Sequence, residues 1–318
     1  MNMVKIKMVK INLATYSIYA YSKDRDENIK LDHLNDNTIL HESSKFNTLN
    51  EILTEFFKQK RPYIDDKKFL RVKQYYNDSL KIFYGELEYG PFGTKHTVVN
   101  AENVDEDEKI IYPEDSVLTP YYFYIQLFQN RLDGLLILET KSNSGIKIIF
   151  ENWINEFLKK IGCTHFEIKL VSFLPEEVIN QFATQGKIRK IRYLSYKLPT
   201  DIIDNIDEYE PDEGYAEYII NIKKEKTKIN NRILNIILNS KNNSDVLMKN
   251  IDFEVDDIKL EVELNDSKRT FTIGNLTKTQ PARDITYELD IGEDGHRTFD
   301  SINTKGFEYA KDIIEKSN

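Results

Sequence analysis

Glu139 and Lys141 stand two residues apart at the end of the apolar run Leu135 to Leu138. On a strand, residues i and i+2 share a face, so this carboxylate and this ammonium emerge side by side. Such a pair serves hydrolytic chemistry when a second acid converges on it. The upstream acid would be Asp115, preceded by Pro113 and Glu114, or Asp133. Asp133 falls in the turn Gln129 to Gly134, and Asp115 precedes an entire strand. Simple antiparallel pairing then places Tyr124, not an acid, opposite Glu139.

A second stretch, Lys187 to Lys197, interleaves Lys187, Arg189, Lys190, Arg192 and Lys197 with Ile188, Ile191, Tyr193 and Tyr196. A strand of this kind presents cations to phosphates and rings to bases, which makes Lys187, Arg189, Lys190, Arg192, Tyr193 and Tyr196 the candidate nucleic-acid contacts. Lys223, Lys224, Lys226, Lys228 and Arg232 form another basic cluster. Both lie near the acidic run Asp201 to Glu217, so internal charge compensation competes with a polyanion site.

The Glu139-Thr140-Lys141 triplet resembles the Glu-x-Lys element of restriction-endonuclease-like nucleases. That resemblance implies acids, Glu139 with Asp115, holding Mg²⁺ while Lys141 orients or activates water. It covers three residues, and a charged strand end entering solvent is the competing reading.

Other chemistry is excluded by spacing. Gly85 and Gly90 have the separation of a phosphate loop, but Pro91 and Phe92 follow where Lys-Ser/Thr is required. Asp290 to Gly295 places acids as a calcium loop does, yet Gly292 and Ser301 occupy two ligand positions, leaving a hairpin turn. The five histidines, at 33, 41, 96, 165 and 296, have no Cys or His partner at zinc-binding spacing. No metal site and no cofactor is expected, apart from Mg²⁺ under the nuclease reading. His296, between Gly295 and Arg297, is the histidine expected to be exposed. Cys163 is the single cysteine, so no intramolecular disulfide can form.

The 318 residues are 40% hydrophobic and 31% charged, with 19 Tyr and 17 Phe, a composition that folds rather than stays disordered. A net charge of −9 argues against a general DNA-coating role. No run approaches the ~20 apolar residues of a membrane helix, and Lys interrupts the apolar residues of the N-terminus, so the expected location is cytoplasmic, without a membrane partner. Richness in Asn, Lys, Ile and Tyr points to an AT-rich bacterial or phage genome.

The pattern predicts strands over Val4 to Tyr21, a helix opened by a Thr48-x-x-Glu51 capping box, and short β-runs from Phe69 to Asn100. Tyr121 to Phe128 and Leu135 to Lys141 read as a buried hairpin. Ile146, Phe150, Trp153, Phe157 and Ile161 define a helix with Trp153 on its buried stripe. Beyond a soft boundary at Thr164 come strands over Phe166 to Leu174, Lys187 to Lys197 and Ala216 to Lys224. A hairpin, Ile258 to Ile273, follows, then a strand over Asp284 to Leu289. Helices are predicted over Pro175 to Thr184, Ile229 to Ser240 and the C-terminal segment. The expected class is α+β, with mixed or largely antiparallel sheets in two associated units, 1–163 and 164–318. The functional expectation is a non-catalytic binding subunit of a bacterial intracellular complex, recognising nucleic acid or a protein partner, with phage defence or a mobile element as its setting. The alternatives are the Mg²⁺-dependent nuclease and a protein-binding scaffold.

Overall fold

The computed structural model describes residues 9–34, 46–78, 80–100, 108–142, 144–173, 184–195, 216–222, 257–264, 267–273 and 282–315. The helix expected over Ile229 to Ser240, all but the last residue of that over Pro175 to Thr184, the cluster Lys223 to Arg232, Tyr196, Lys197 and most of the acidic run Asp201 to Glu217 lie outside these residues. The chain is α+β. One unit draws on Met1–Val171 and Asp284–Lys311, the other on Ser172–Arg283 and Asp312–Asn318.

In chain order the elements are β1 (Ile11–Ser22), β2 (Glu27–Ile29), α1 (Leu49–Phe57), β3 (Tyr63–Asp65), β4 (Lys68–Asn77), β5 (Ile82–Pro91), β6 (His96–Val98) and β7 (Lys109–Ile111). There follow β8 (Thr119–Leu127), β9 (Asp133–Lys141), β10 (Ser144–Gly145), α2 (Lys147–Lys160) and β11 (Phe166–Ser172). The last group is β12 (Lys187–Ser195), β13 (Ala216–Asn221), β14 (Asp257–Leu264), β15 (Ser267–Ile273), β16 (Ala282–Asp284) and α3 (Phe299–Glu315). The main sheet runs in the order β11, β1, β9, β8, β5, β4, β3. Its ladders from β1 through β3 are antiparallel. The order β13, β12, β14, β15 makes a second antiparallel sheet.

Helices cover both faces of the main sheet, which explains why β8 and β9 are apolar along nearly their whole length. On one face, Phe57 of α1 stacks on Phe123 at 4.7 Å and on Phe83 at 5.8 Å between ring centres. Phe56 meets Trp153 of α2 edge-on at 4.6 Å, and Trp153 is buried as its spacing predicts. The capping box forms as well: Thr48 accepts from the Glu51 amide, and the Glu51 carboxylate accepts from the Thr48 amide. On the other face lies α3, whose Ile302, Tyr309 and Ala310 are buried. Its Phe307 meets Tyr84 and Tyr124 edge-on, at 5.0 and 5.1 Å.

The polar side of α2 has a use that periodicity does not reveal. Asn155 accepts from the Ile168 amide at 2.7 Å and donates to the Ile168 carbonyl at 2.8 Å, while Glu151 accepts from the Leu170 amide at 2.8 Å. These side chains satisfy the outer edge of β11 as a neighbouring strand would, and so shield it from pairing with another chain. One expected strand is corrected. From Asp284 to Leu289 the chain makes a 3₁₀ turn, Thr286–Glu288, because the Asp284 carboxylate binds both the amide and the hydroxyl of Thr286 and closes a local turn.

Two consequences of this packing are measurable. Gly306 of α3 lies so close to Tyr122 that an added Cβ would collide with the phenol ring, itself fully buried. Gly306→Ala should therefore cost about 1–3 kcal/mol in chemical denaturation, although Ala is the better helix former. A stabilised variant would show that α3 stands off the sheet. Separately, burial pushes the Tyr16 phenol from its ordinary value of 10 up to about 12. The folded chain keeps this proton where the unfolded chain has released it, so stability present below pH 10 is lost as pH rises towards 12. Melting temperatures of Tyr16→Phe should fall less steeply than wild type across that window, and equal slopes would place the titration elsewhere.

Candidate functional site

Three neighbouring strands place Glu86, Tyr122 and Glu139 in one row on the face that α3 covers. Glu86 of β5 is paired with Tyr122 of β8. The β8 to β9 ladder sets Phe123 against Leu138 and Tyr124 against Ile137. Continuing that register puts Tyr122 opposite Glu139, so the expected pairing with Tyr124 is off by two residues. The hairpin turn is tighter than the hydrophobic run implied, since β8 ends at Leu127 and β9 already begins at Asp133.

Arg297 spans this row. It is delivered by a tight turn in which Ile291 bridges Arg297, the Gly292 amide donates to the His296 carbonyl and Gly295 adopts φ +74°. The turn expected over Asp290 to Gly295 is thus present, and Gly295 supplies the left-handed conformation it needs. Immediately after it, the Thr298 hydroxyl accepts from the Ser301 amide at the start of α3. Turn and helix together hold the guanidinium against the sheet.

The guanidinium donates from Nε at 3.2 Å and from Nη2 at 2.6 Å to Glu139 Oε2, and from Nη1 to Glu86 Oε1. Glu139 Oε2 also accepts from the Tyr122 amide at 2.7 Å. Glu86 Oε2 accepts from Gln74 Nε2 at 2.9 Å and lies 3.3 Å from Lys73 Nζ. The side chains of Arg297, Glu139 and Glu86 are 1%, 0% and 3% exposed. Despite the desolvation that opposes it, the two carboxylates raise the Arg297 pKa further above its ordinary value. Lys141 shares the face of Glu139, as the spacing predicts, with Nζ 3.7 Å from Glu139 Oε1 and 5.3 Å above the Tyr121 ring. Burial lowers the Lys141 pKa, partly offset by Glu139.

The acid brought towards Glu139 is Glu86, not Asp115. The Asp115 carboxylate closes its own exposed turn by accepting from the Tyr112 amide at 2.9 Å. Asp133 opens β9, bound to Arg131 at 3.0 Å. A guanidinium held between Glu86 and Glu139 neutralises the charge a dication would need. Among the described residues no group of three or more His, Cys, Asp and Glu is placed to hold a metal ion. Glu86 and Arg297 could not be found from local spacing, because 211 positions separate them and their neighbours are unremarkable.

On the second sheet the cations of β12 face carboxylates. Arg189 binds Glu263 through Nε at 2.8 Å and Nη2 at 3.2 Å, Arg192 binds Glu217 through Nε at 2.5 Å, and Lys190 lies 3.8 Å from Glu261. Lys187 is exposed, and Tyr193 is buried. One partner, Glu217, ends the acidic run, and the other two belong to β14.

A third charged region lay in plain view in the sequence. Residues 58–73 carry seven cations against two carboxylates, Asp65 and Asp66. Dividing the chain into a helix that ends before Pro62 and strands that start at Phe69 splits this run and hides it.

Deleting Arg297 leaves two buried carboxylates without a counter-charge, so Arg297→Met should destabilise the protein by about 3–5 kcal/mol in urea denaturation. Adding Glu86→Gln and Glu139→Gln to Arg297→Met should recover most of that loss. A single Arg297→Met variant as stable as wild type would show that solvent reaches the carboxylates. The chain matches no model of a known protein family and no curated protein.

Proposed function

We propose that this protein is a non-catalytic binding subunit that recognises nucleic acid. The observation carrying the first half of this reading is the guanidinium of Arg297 between Glu139 and Glu86. A hydrolytic carboxylate must be free to bind a metal ion or take a proton. Both oxygens of Glu86 and Oε2 of Glu139 are already committed, and Oε1 of Glu139 is buried without a hydrogen-bond partner, 3.7 Å from Lys141. The cluster reads as a structural lock between the C-terminal turn and the sheet. The second half rests on cations concentrated at particular places on a chain whose net charge is −9.

A protein partner is the second reading. It is favoured by Tyr218, Ile219 and Ile220, consecutive exposed residues of β13, the outer strand in the described order of its sheet. Among the described residues no helix is long and apolar enough to cross a membrane.

Incubation with labelled DNA and RNA in the presence of Mg²⁺ tests the reading. The nucleic acid should remain intact and be retarded in gel-shift titrations at low salt, with binding that weakens steeply as salt rises. Mg²⁺-dependent cleavage that disappears in Lys141→Ala would restore the nuclease. Failure to retard either DNA or RNA would hand the reading to the protein partner.

A further inference from the structure

Four of the seven cations of residues 58–73, Lys58, Lys60, Arg71 and Lys73, line one groove, and Arg61, Lys67 and Lys68 stand exposed on the segments next to it in the chain. Helix α1 ends at Phe57 with Lys58 as its cap, and Lys60 and Arg61 lead into β3. The turn from β3 to β4 carries Lys67, and β4 presents Lys68, Arg71 and Lys73. β3 pairs only with Lys68 to Leu70 of β4. From Arg71 onward the outer edge of β4 has no strand neighbour among the described residues. A groove of about 560 Å³ opens there, lined by Lys58, Lys60, Arg71, Lys73 and Tyr75, with Glu88 as its one carboxylate.

Three of these cations have internal partners. Lys58 meets Glu55 at 2.7 Å, Arg71 meets Glu88 at 2.6 Å and Lys73 meets Glu86 at 3.3 Å. Of these only the Lys58–Glu55 pair is exposed on both sides, so it contributes little and yields readily to an incoming anion, whereas Arg71 and Lys73 are held by the part-buried Glu88 and the buried Glu86. The other four, Lys60, Arg61, Lys67 and Lys68, are exposed and make no ion pair among the described residues. Asp65 and Asp66 directly precede Lys67 and Lys68 and form no ion pair with them.

Two bland explanations account for part of the pattern. Cations near a helix C-terminus offset its dipole, which covers Lys58 and Lys60. Lysines and bulges blunt a sheet edge, and β4 has an irregularity between Val72 and Gln74. Neither explains Arg61, Lys67 and Lys68, which lie off the open edge. The bulge also argues against an added peptide strand, because it breaks the register such a strand would follow. What remains is recognition through side-chain charge. We propose that the basic surface formed by the groove between the end of α1 and the open edge of β4, together with the exposed cations on either side of β3, binds the phosphate backbone of a single-stranded nucleic acid. Half-buried Tyr75, stacked on Phe57 at 5.7 Å between ring centres, lies in its wall, and a ring there suits an unstacked base, which a single strand supplies and a duplex does not. The assignment rests on the reading of the chain as a nucleic-acid-binding protein.

Fluorescence anisotropy with labelled oligothymidylate and oligouridylate over a salt series tests it on the full chain. The variant Lys60→Gln, Arg61→Gln, Lys67→Gln, Lys68→Gln alters exposed side chains only, and its circular dichroism melt should match wild type. Its affinity at low salt should fall at least tenfold, and the slope of log affinity against log salt should shrink by about 3, at roughly 0.7 per lost phosphate contact. A second variant with Lys60→Arg, Lys67→Arg and Lys68→Arg should bind as wild type does, which a loss of fold or of lysine-specific contacts would not allow. If wild type binds and the glutamine variant binds equally, this basic surface is overturned as the site while the nucleic-acid reading stands. If wild type binds neither oligonucleotide but does bind polyglutamate, both fall in favour of an acidic protein partner.

Discussion

Charge balance inside the main sheet is the constraint on which the first unit depends. Removing a carboxylate from water costs several kcal/mol unless a counter-charge and hydrogen bonds replace the solvent. The row Glu86, Tyr122, Glu139 brings two such groups to one buried face, and Arg297 is the cation that answers them. The requirement reaches across the chain, since the bond from Arg297 to Glu139 joins residues 158 positions apart. It follows that the terminal turn and α3 are part of the fold of this unit and not an appendage to it. A hydrophobic replacement of the same volume could be as stable, so the ionic arrangement specifies where the turn docks more than it adds net stability.

Around that row the aromatic residues divide the packing. Phe56, Phe57, Phe123, Phe150 and Trp153 fill the face under α1 and α2, in edge and stacked contacts. Tyr84, Tyr122, Tyr124 and Phe307 fill the face under α3, where the Tyr122 hydroxyl donates to Asn303 Oδ1 at 3.2 Å. Phe predominates on the first face, where Tyr63 stacks on Trp153 and Tyr75 on Phe57, and Tyr on the second, where Phe299 and Phe307 also pack. Close approach of α3 then needs Gly306, because Tyr122 occupies the space of any larger residue.

Charge has different fates elsewhere in the molecule. On β12 the cations stand beside Glu217, Glu261 and Glu263, so their attraction is partly satisfied within the sheet. Lys60 and Arg61 before β3 and Lys67 and Lys68 after it have no such partner among the described residues. Local sequence cannot distinguish these cases, since a lysine-rich segment looks alike whether or not a neighbouring strand supplies glutamate. Pairing decides which positive charge remains available to a ligand.

Sequence by itself determined the α+β class, the helix with Trp153 on its buried stripe, the capping box at Thr48 and Glu51, the hairpin from β8 to β9, and the shared face of Glu139 and Lys141. Each depends on residues close in the chain, where side-chain period and backbone hydrogen-bonding preference act directly. Only the tertiary structure decided that Glu86 rather than Asp115 joins Glu139, that Arg297 lies between them, and that Asn155 and Glu151 close the edge of β11. These relations depend on register and on which distant segments the sheet brings together. A shift of two residues in one ladder changes the partner without altering any local pattern. The function of a charged side chain in this protein is therefore set by its spatial neighbours, because burial and counter-charge, not residue type, fix whether it locks the fold or meets a ligand.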